Sequence, residues 1–255
     1  MDNVYKIIKP SSIIIDNLKD RNIISEAIFG ECVKILARDR DWILIELIND
    51  HYKGWIKAKD IGDMPNSNYK VTSLRTFIKE KPNIKAKDID YLSFQSEIFV
   101  DLVNNEWVKI KLSNCYHQNY GYIYKKDICK KLSYTKNWVN TAEKFINIPY
   151  RWGGKDTKGI DCSALLQLTL KSIGLFIPRD TNEQINFSCF ETINQNQLKR
   201  GSIIFWDGHV GIMLDKYKLL HANGFHMKIV AEPLTEVCNR MDNNKILSCK
   251  NLVKI

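Results

Sequence analysis

No run in this 255-residue chain approaches the ~18 consecutive apolar residues that a membrane-spanning helix needs; the longest near the start is Ile13-Ile14-Ile15. The first ten residues, MDNVYKIIKP, also lack the apolar core of an export signal. Both absences predict a cytoplasmic protein with no membrane partner. Blocks of five or six like charges are missing too, although 38 basic and 29 acidic residues leave a net charge of +9. Through residue 133 the balance is 22 − 18 = +4, and beyond it 16 − 11 = +5. So even a spread excludes a basic arm and gives no reason to expect nucleic acid. The seven cysteines (32, 115, 129, 162, 189, 238 and 249) are odd in number and form no C-x-x-C pair. That is neither a disulfide framework nor a zinc ribbon, and no metal or cofactor is expected. What is present, 44% hydrophobic and 26% charged residues, belongs to a folded globular chain.

The first half reads as short strands. Ile23-Ile24, Cys32–Leu36 and Trp42–Leu47 are β-rich runs separated by turn residues, and His51-Tyr52-Lys53-Gly54-Trp55-Ile56 leads into Lys59-Asp60-Ile61. Residues 69–129 repeat this grammar with Trp107-Val108-Lys109-Ile110, Tyr120-Gly121-Tyr122-Ile123 and Lys126-Asp127-Ile128. Each copy has Trp-(Val/Ile)-x-(Leu/Ile), a loop, then aromatic–Gly–aromatic–Ile and Lys-Asp-Ile, so one unit is used twice. About five short strands per sixty residues predict a small, partly open barrel. The pattern resembles bacterial SH3-like domains, with Asp63–Asn68 as a linker between copies.

From about residue 134 the texture changes. Trp138, Ala142 and Phe145 follow helical spacing within 135–145, and residues 162–173 read as an apolar helix stopped by Gly174. Ser202–Trp206 and His209–Leu214 flank Asp207-Gly208, a strong hairpin signal, and a further strand runs over 218–221. Helices first and a meander after predict an α+β domain.

Cys162 stands at the start of the apolar helix with Asp161 as N-cap candidate. A sulfur at a helix N-terminus feels unpaired amides and the positive end of the dipole, which favour thiolate. It needs a base and a group to orient that base. His209 and His221 fall in adjacent strands of the meander. A two-residue loop at 215–216 would pair Val210 with His221 and put the two histidines on opposite faces. A three-residue loop at 214–216, or a bulge, would pair His209 directly with His221 on one face. If they act together, the odd loop is the real one. His226, five residues beyond His221, is a decoy in this reading.

Tyr150-Arg151-Trp152-Gly153-Gly154, Gly159-x-Asp161-Cys162-Ser163 and Gly208-His209-Val210-Gly211-Ile212, with a second His twelve residues later, resemble an NlpC-type papain-like cell-wall cysteine peptidase. With two SH3-like modules in front, the chain is similar to the cytoplasmic γ-D-glutamyl-L-diamino acid endopeptidases of murein recycling. The resemblance implies an α+β papain-like domain at 134–255 behind all-β SH3-like barrels at 1–64 and 65–133. It implies Cys162 as nucleophile, His209 as base, His221 as the orienting residue and Tyr150 as a tyrosine lining the site. Asp161 and Ser163 flank the nucleophile, and Arg179-Asp180 matches an Arg-Asp of the group. The substrate expected is a murein tripeptide or tetrapeptide with a free L-Ala amino terminus, which a carboxylate at Asp180 suits. Tyr52 matches a tyrosine reaching the cleft from the first module, and either Glu26 or Glu31 would supply an acidic group. The alternatives are a hydrolase of polymeric wall, an acyltransferase relative, and an inactive module that binds wall peptides.

Overall fold

The computed structural model describes residues 4–104, 106–241 and 245–253, in two compact units. One takes the chain up to Ser133 together with Lys155–Thr157; the other takes Tyr134–Gly154 and Lys158 onward. No helix among the described residues is long and apolar enough to cross a membrane.

The first unit is all β. Its leading strands are β1 (Val4–Ile7), β2 (Ser11–Ile15), β3 (Ile23–Ile28), β4 (Cys32–Asp39), β5 (Trp42–Leu47), β6 (Lys53–Lys57) and β7 (Ile61–Gly62). They form one sheet in the order β3-β2-β6-β5-β4-β1-β7, seven strands where the β-rich runs suggested five. The extra pair, β1 and β2, is short and sits at the start of the chain, on either side of Lys9-Pro10. Alternation sets the inner face: along β5, Ile43, Ile45 and Leu47 are buried and join Ile7, Ile14, Val33 and Ile56 in a core. Strands β8 (Tyr69–Val71), β9 (Arg75–Lys79), β10 (Asp88–Ser93), β11 (Glu97–Ile98), β12 (Val100–Asn104), β13 (Trp107–Lys111), β14 (Tyr120–Tyr124) and β15 (Ile128–Lys130) build the second copy. They split into a five-stranded sheet, β10-β9-β14-β13-β12, and a three-stranded one, β11-β8-β15. Phe29, from the first copy, is fully buried in the core of the second.

The repeat has a physical basis. Gly54 and Gly121 occupy equivalent strand positions, and a Cβ on either would run into Cγ2 of Ile14 or Ile78 respectively. Two residues before those isoleucines, Ser12 Oγ donates to Asp60 at 2.8 Å and Thr76 Oγ1 donates to Asp127 at 2.6 Å. Both aspartates end a 3-10 turn, Ala58–Asp60 and Lys125–Asp127. The aromatic–Gly–aromatic and Lys-Asp-Ile elements are therefore where the chain needs no side chain and where it needs an acceptor.

Strand β16 (Lys155–Asp156) and Thr157 complete this unit. Lys155 Nζ lies 2.8 Å from Glu31 Oε1, and the Lys155 amide donates to Glu26 Oε2 at 2.9 Å. Asp156 accepts from the Tyr91 hydroxyl at 2.6 Å, and the Thr157 amide donates to Ser93 Oγ at 3.0 Å. Both candidate glutamates of the first module are thus buried against this three-residue segment. Tyr52 belongs to this unit as well; its ring packs on the first core and its hydroxyl reaches the Ile24 carbonyl at 3.5 Å.

The second unit begins with α1 (Trp138–Glu143), shorter than the helical spacing suggested because Asn137 caps it, accepting the Asn140 amide at 3.1 Å. Strand β17 (Gly159–Ile160) leads into α2 (Cys162–Lys171). All ten residues of α2 are buried, the polar Ser163, Gln167, Thr169 and Lys171 among them. It ends where Gly174 adopts φ +87°, a left-handed conformation that costs glycine nothing. After α3 (Thr181–Gln184) come β18 (Phe190–Ile193), β19 (Ile203–Trp206), β20 (His209–Met213), β21 (Lys218–Asn223) and β22 (Lys228–Pro233), then α4 (Leu234–Arg240) and β23 (Ser248–Leu252). The six strands form one antiparallel sheet, β18-β23-β19-β20-β21-β22, with α2 against β20 and β21.

Candidate active site

Asp161 has extended backbone and its Oδ1 accepts the Ala164 amide hydrogen at 2.8 Å, the N-cap bond that makes Cys162 the first residue of α2. Cys162 is 8% exposed. Its Sγ sits 4.0 Å from the Gly208 carbonyl, and backbone N–H groups of Val210 and Ser163 favour its thiolate. Gly208 and Val210 flank His209 in the chain, so the sulfur rests against the stretch of β20 that carries the imidazole. The two-residue turn Asp207-Gly208, with Trp206 paired to His209 and Gly208 at φ +66°, brings the strand back at that point.

His209 Nε2 lies 2.8 Å from His221 Nδ1, with the rings edge to face at 70°. The register that allows this differs from both sequence alternatives. Ile212 pairs with Leu220 and Met213 with Leu219, which leaves Asp215–Tyr217 as a three-residue loop. In that register His221 falls opposite Gly211 and His209 opposite Asn223. The histidines are therefore diagonal neighbours on one face rather than a direct pair. The loop is odd, as joint action demands, but it lies one residue later than 214–216. The reason is Asp215, whose Oδ1 accepts the amides of Tyr217 and Lys218 at 2.7 and 2.8 Å and draws Tyr217 into the turn.

Behind His221 lies a part of the site that sequence reasoning missed. His221 Nε2 is 2.8 Å from Glu232 Oε1, and Arg240 grips the same carboxylate with Nη2 at 2.6 Å and Nη1 at 2.9 Å. Asn223 Nδ2 stands 3.1 Å from His221 Nε2, and His226 Nε2 is 3.3 Å from Glu232 Oε2. The β21–β22 register pairs Leu219 with Glu232 and His221 with Val230, so Glu232 and His221 share a face. A hairpin assignment across 224–227 was the one sequence signal that would have found Glu232. A cavity of about 380 Å³ opens beside this array, lined by His209, His221, Phe225, Val237 and Arg240.

Burial sets the protonation states. It pushes the Cys162 thiol up to about 12, and the charge of Asp161 adds to the rise. It pushes the His209 imidazole down to about 3, with His221 acting the same way. The resting pair is therefore neutral thiol and neutral imidazole. Tyr150 is half-buried and its phenol is pushed up to about 12, by burial first and then by the negative charge Cys162 and Asp161 would carry. It remains a hydrogen-bond donor beside the sulfur.

Arg179, from the loop before α3, is 1% exposed and binds Asp161 Oδ2 at 2.6 Å, Oδ1 at 3.1 Å and Ser163 Oγ at 2.6 Å. Asp161, Ser163 and Arg179 are thus one buried cluster at the start of the helix that Cys162 begins. Asp180 is half-buried at the N-cap of α3, where its side chain makes no capping bond. Tyr52, Glu26 and Glu31 lie in the other unit. Among the described residues no group of three or more His, Cys, Asp or Glu is disposed to hold a metal ion.

Residues 147–245 match the NlpC/P60 family, and residues 17–61 match the bacterial dipeptidyl-peptidase Sh3 domain. The chain is similar to "Dipeptidyl-peptidase 6" of Lysinibacillus sphaericus, 26% identical over 79% of this chain and 80% of that one. It is also similar to "Gamma-D-glutamyl-L-lysine dipeptidyl-peptidase" of Bacillus subtilis strain 168, at 22% identity over 85% of this chain and 78% of that one. The crystal structure of an NlpC/P60 family protein from Bacillus cereus ATCC 10987 superposes with a TM-score of 0.84 at 16% identity. That likeness, over 99% of this chain and 100% of the other, is one of fold. With a cysteine at a helix N-terminus and paired histidines on the sheet, residues 147–245 are an NlpC/P60 cysteine peptidase domain of papain-like fold, behind an all-β region that carries a bacterial SH3 domain.

Proposed function

We propose that the chain is a cysteine endopeptidase cutting the bond between γ-D-Glu and the diamino acid of murein tripeptides or tetrapeptides that carry a free N-terminal L-Ala. The observation that carries the chemistry is the contact of Cys162 Sγ with the backbone on both sides of His209, whose Nε2 is bonded to His221. Support for the substrate comes from the relatives named dipeptidyl-peptidase and γ-D-glutamyl-L-lysine dipeptidyl-peptidase, and from a carboxylate, Asp180, suited to an ammonium.

His209 takes the thiol proton as Sγ attacks the γ-carbonyl, which couples proton transfer to attack and suits a pair that rests uncharged. The N–H groups near the sulfur and the Tyr150 hydroxyl are donors for the oxyanion. The diamino acid leaves with the proton from His209, and water, activated by the same imidazole, hydrolyses the thioester to L-Ala-γ-D-Glu. Asp161, Ser163 and Arg179 hold the nucleophile's helix and wall the acyl side. Asp180 pairs with the L-Ala ammonium. No cofactor takes part.

The test is release of the diamino acid from L-Ala-γ-D-Glu-meso-diaminopimelate and its lysine analogue, beside the N-acetylated peptides and Cys162→Ala. Cleavage of free peptides alone, lost in the variant, is the expected result. Equal cleavage of acetylated peptides would replace this reading with a hydrolase of polymeric wall. Binding without cleavage would replace it with a wall-peptide-binding module.

A further inference from the structure

Glu232 is a buried carboxylate that the chemistry above does not use. Arg240 donates to both of its oxygens, so it is ionised and can only accept hydrogen bonds. The proton between Glu232 Oε1 and His221 Nε2, 2.8 Å apart, therefore belongs to His221. A neutral imidazole has one N–H, so His221 Nδ1 is then an acceptor. The 2.8 Å contact it makes must take its proton from His209 Nε2. His209 is left with its lone pair on Nδ1, the ring nitrogen that His221 does not engage. Asn223 Nδ2 offers an N–H to the same His221 nitrogen at 3.1 Å and by itself favours the opposite tautomers. A full charge at shorter distance wins that competition.

We propose that Glu232, clamped by Arg240, is a positioning residue that sets the tautomer of His221 and through it that of His209, making Nδ1 of His209 the base for Cys162. The inference rests on Cys162 and His209 being the reacting pair, but not on the murein substrate. Glutamine at position 232 would keep the shape and lose the charge. Asn223 would then hold His221 Nε2 in its unprotonated form, His221 Nδ1 would donate to His209 Nε2, and His209 Nδ1 would carry a proton it cannot exchange for that of the thiol. The titratable and charged groups around this array are Cys162 at the start of α2 with its cap Asp161, His209 on β20, His226 in the β21–β22 turn and Arg240 on α4.

The test uses the full chain with two readouts: kcat and KM on the murein peptide, and the pH dependence of iodoacetamide alkylation followed by mass on the Cys162 peptide. Glu232→Gln is expected to lower kcat about 100-fold with KM unchanged, on the scale a positioned base contributes. Its alkylation profile is expected to move to higher pH, because the imidazolium that forms when His209 takes the thiol proton loses the carboxylate that stabilises it through His221. Glu232→Gln/Arg240→Met removes the guanidinium left unpaired by the single change. It is expected to regain the wild-type urea midpoint and remain slow. Wild-type kinetics and alkylation in Glu232→Gln, or return of both in the double variant, would overturn the proposal, since Glu232 would then serve only to neutralise Arg240. If wild-type protein fails to cut the peptide while the alkylation shift persists, the substrate reading falls and this one stands.

Discussion

The Arg179 guanidinium is bound through two nitrogens to the carboxylate of Asp161, the residue that caps the helix beginning at Cys162, at 2.6 and 3.1 Å. Both side chains are withdrawn from solvent, at 1% and 9% exposure, so each is the other's counter-ion. Removing one partner of such a pair leaves an uncompensated buried charge. Arg179→Met is expected to cost about 3–5 kcal/mol of stability, read from the urea midpoint. Arg179→Lys keeps the charge but loses the two-nitrogen grip, and should fall between the variant and the wild type.

Asp161 also raises the Cys162 thiol, second only to burial, while Arg179 lowers it. Asp161→Asn retains an N-cap oxygen and removes the charge. Alkylation of Cys162 in that variant is expected to begin at lower pH than in the wild type, even as stability drops. An unchanged alkylation profile would contradict the electrostatic origin of the raised thiol.

The paired histidines, His209 and His221, make the second unit sensitive to acid. His209 is held down to about 3 and His221 is lowered as well, both mainly by burial. The folded state thus resists protons that the unfolded chain binds near pH 6.5. Their stabilising contribution is complete above that value and is lost as pH falls from 6.5 toward 3. Glu232, lowered to about 2, adds a further loss from about 4.5 downward. Urea titrations at stepped pH should show the upper limb flatten in His209→Asn, with the lower limb retained.

Gly54→Ala and Gly121→Ala are expected to damage the first unit alike, by roughly 1–3 kcal/mol of overpacking against Ile14 and Ile78. Thermal unfolding of the two variants checks this. A large effect at one position and none at the other would mean that the repeat is one of sequence without shared packing.

Cys162, its cap Asp161 and the imidazole of His209 were legible in the sequence because each follows a local rule: a helix start, a capping side chain, a two-residue turn. The repeat in the first unit was legible from its aromatic–Gly–aromatic and Lys-Asp-Ile elements, although β1 and β2 were not. The His209–His221 register escaped because one side chain, Asp215, decides whether Tyr217 belongs to the strand or the loop. Glu232 and Arg240 escaped for a different reason. A glutamate in a strand and an arginine at the end of a short helix look like surface residues until the β21–β22 pairing turns one of them toward His221. Arg179 was legible as part of Arg179-Asp180, but its engagement of Asp161 is a contact across 18 residues that no spacing rule supplies.

Lys155 meets Glu31 across 124 residues of chain and Glu26 across 129. On the ribosome, at roughly 5–20 residues per second, Glu31 emerges about 6–25 s before the lysine that neutralises it. During that interval the first unit carries carboxylates whose partner has not been made. The last stitch of the amino-terminal half is thus sewn by a segment synthesised only when the following half is already under way.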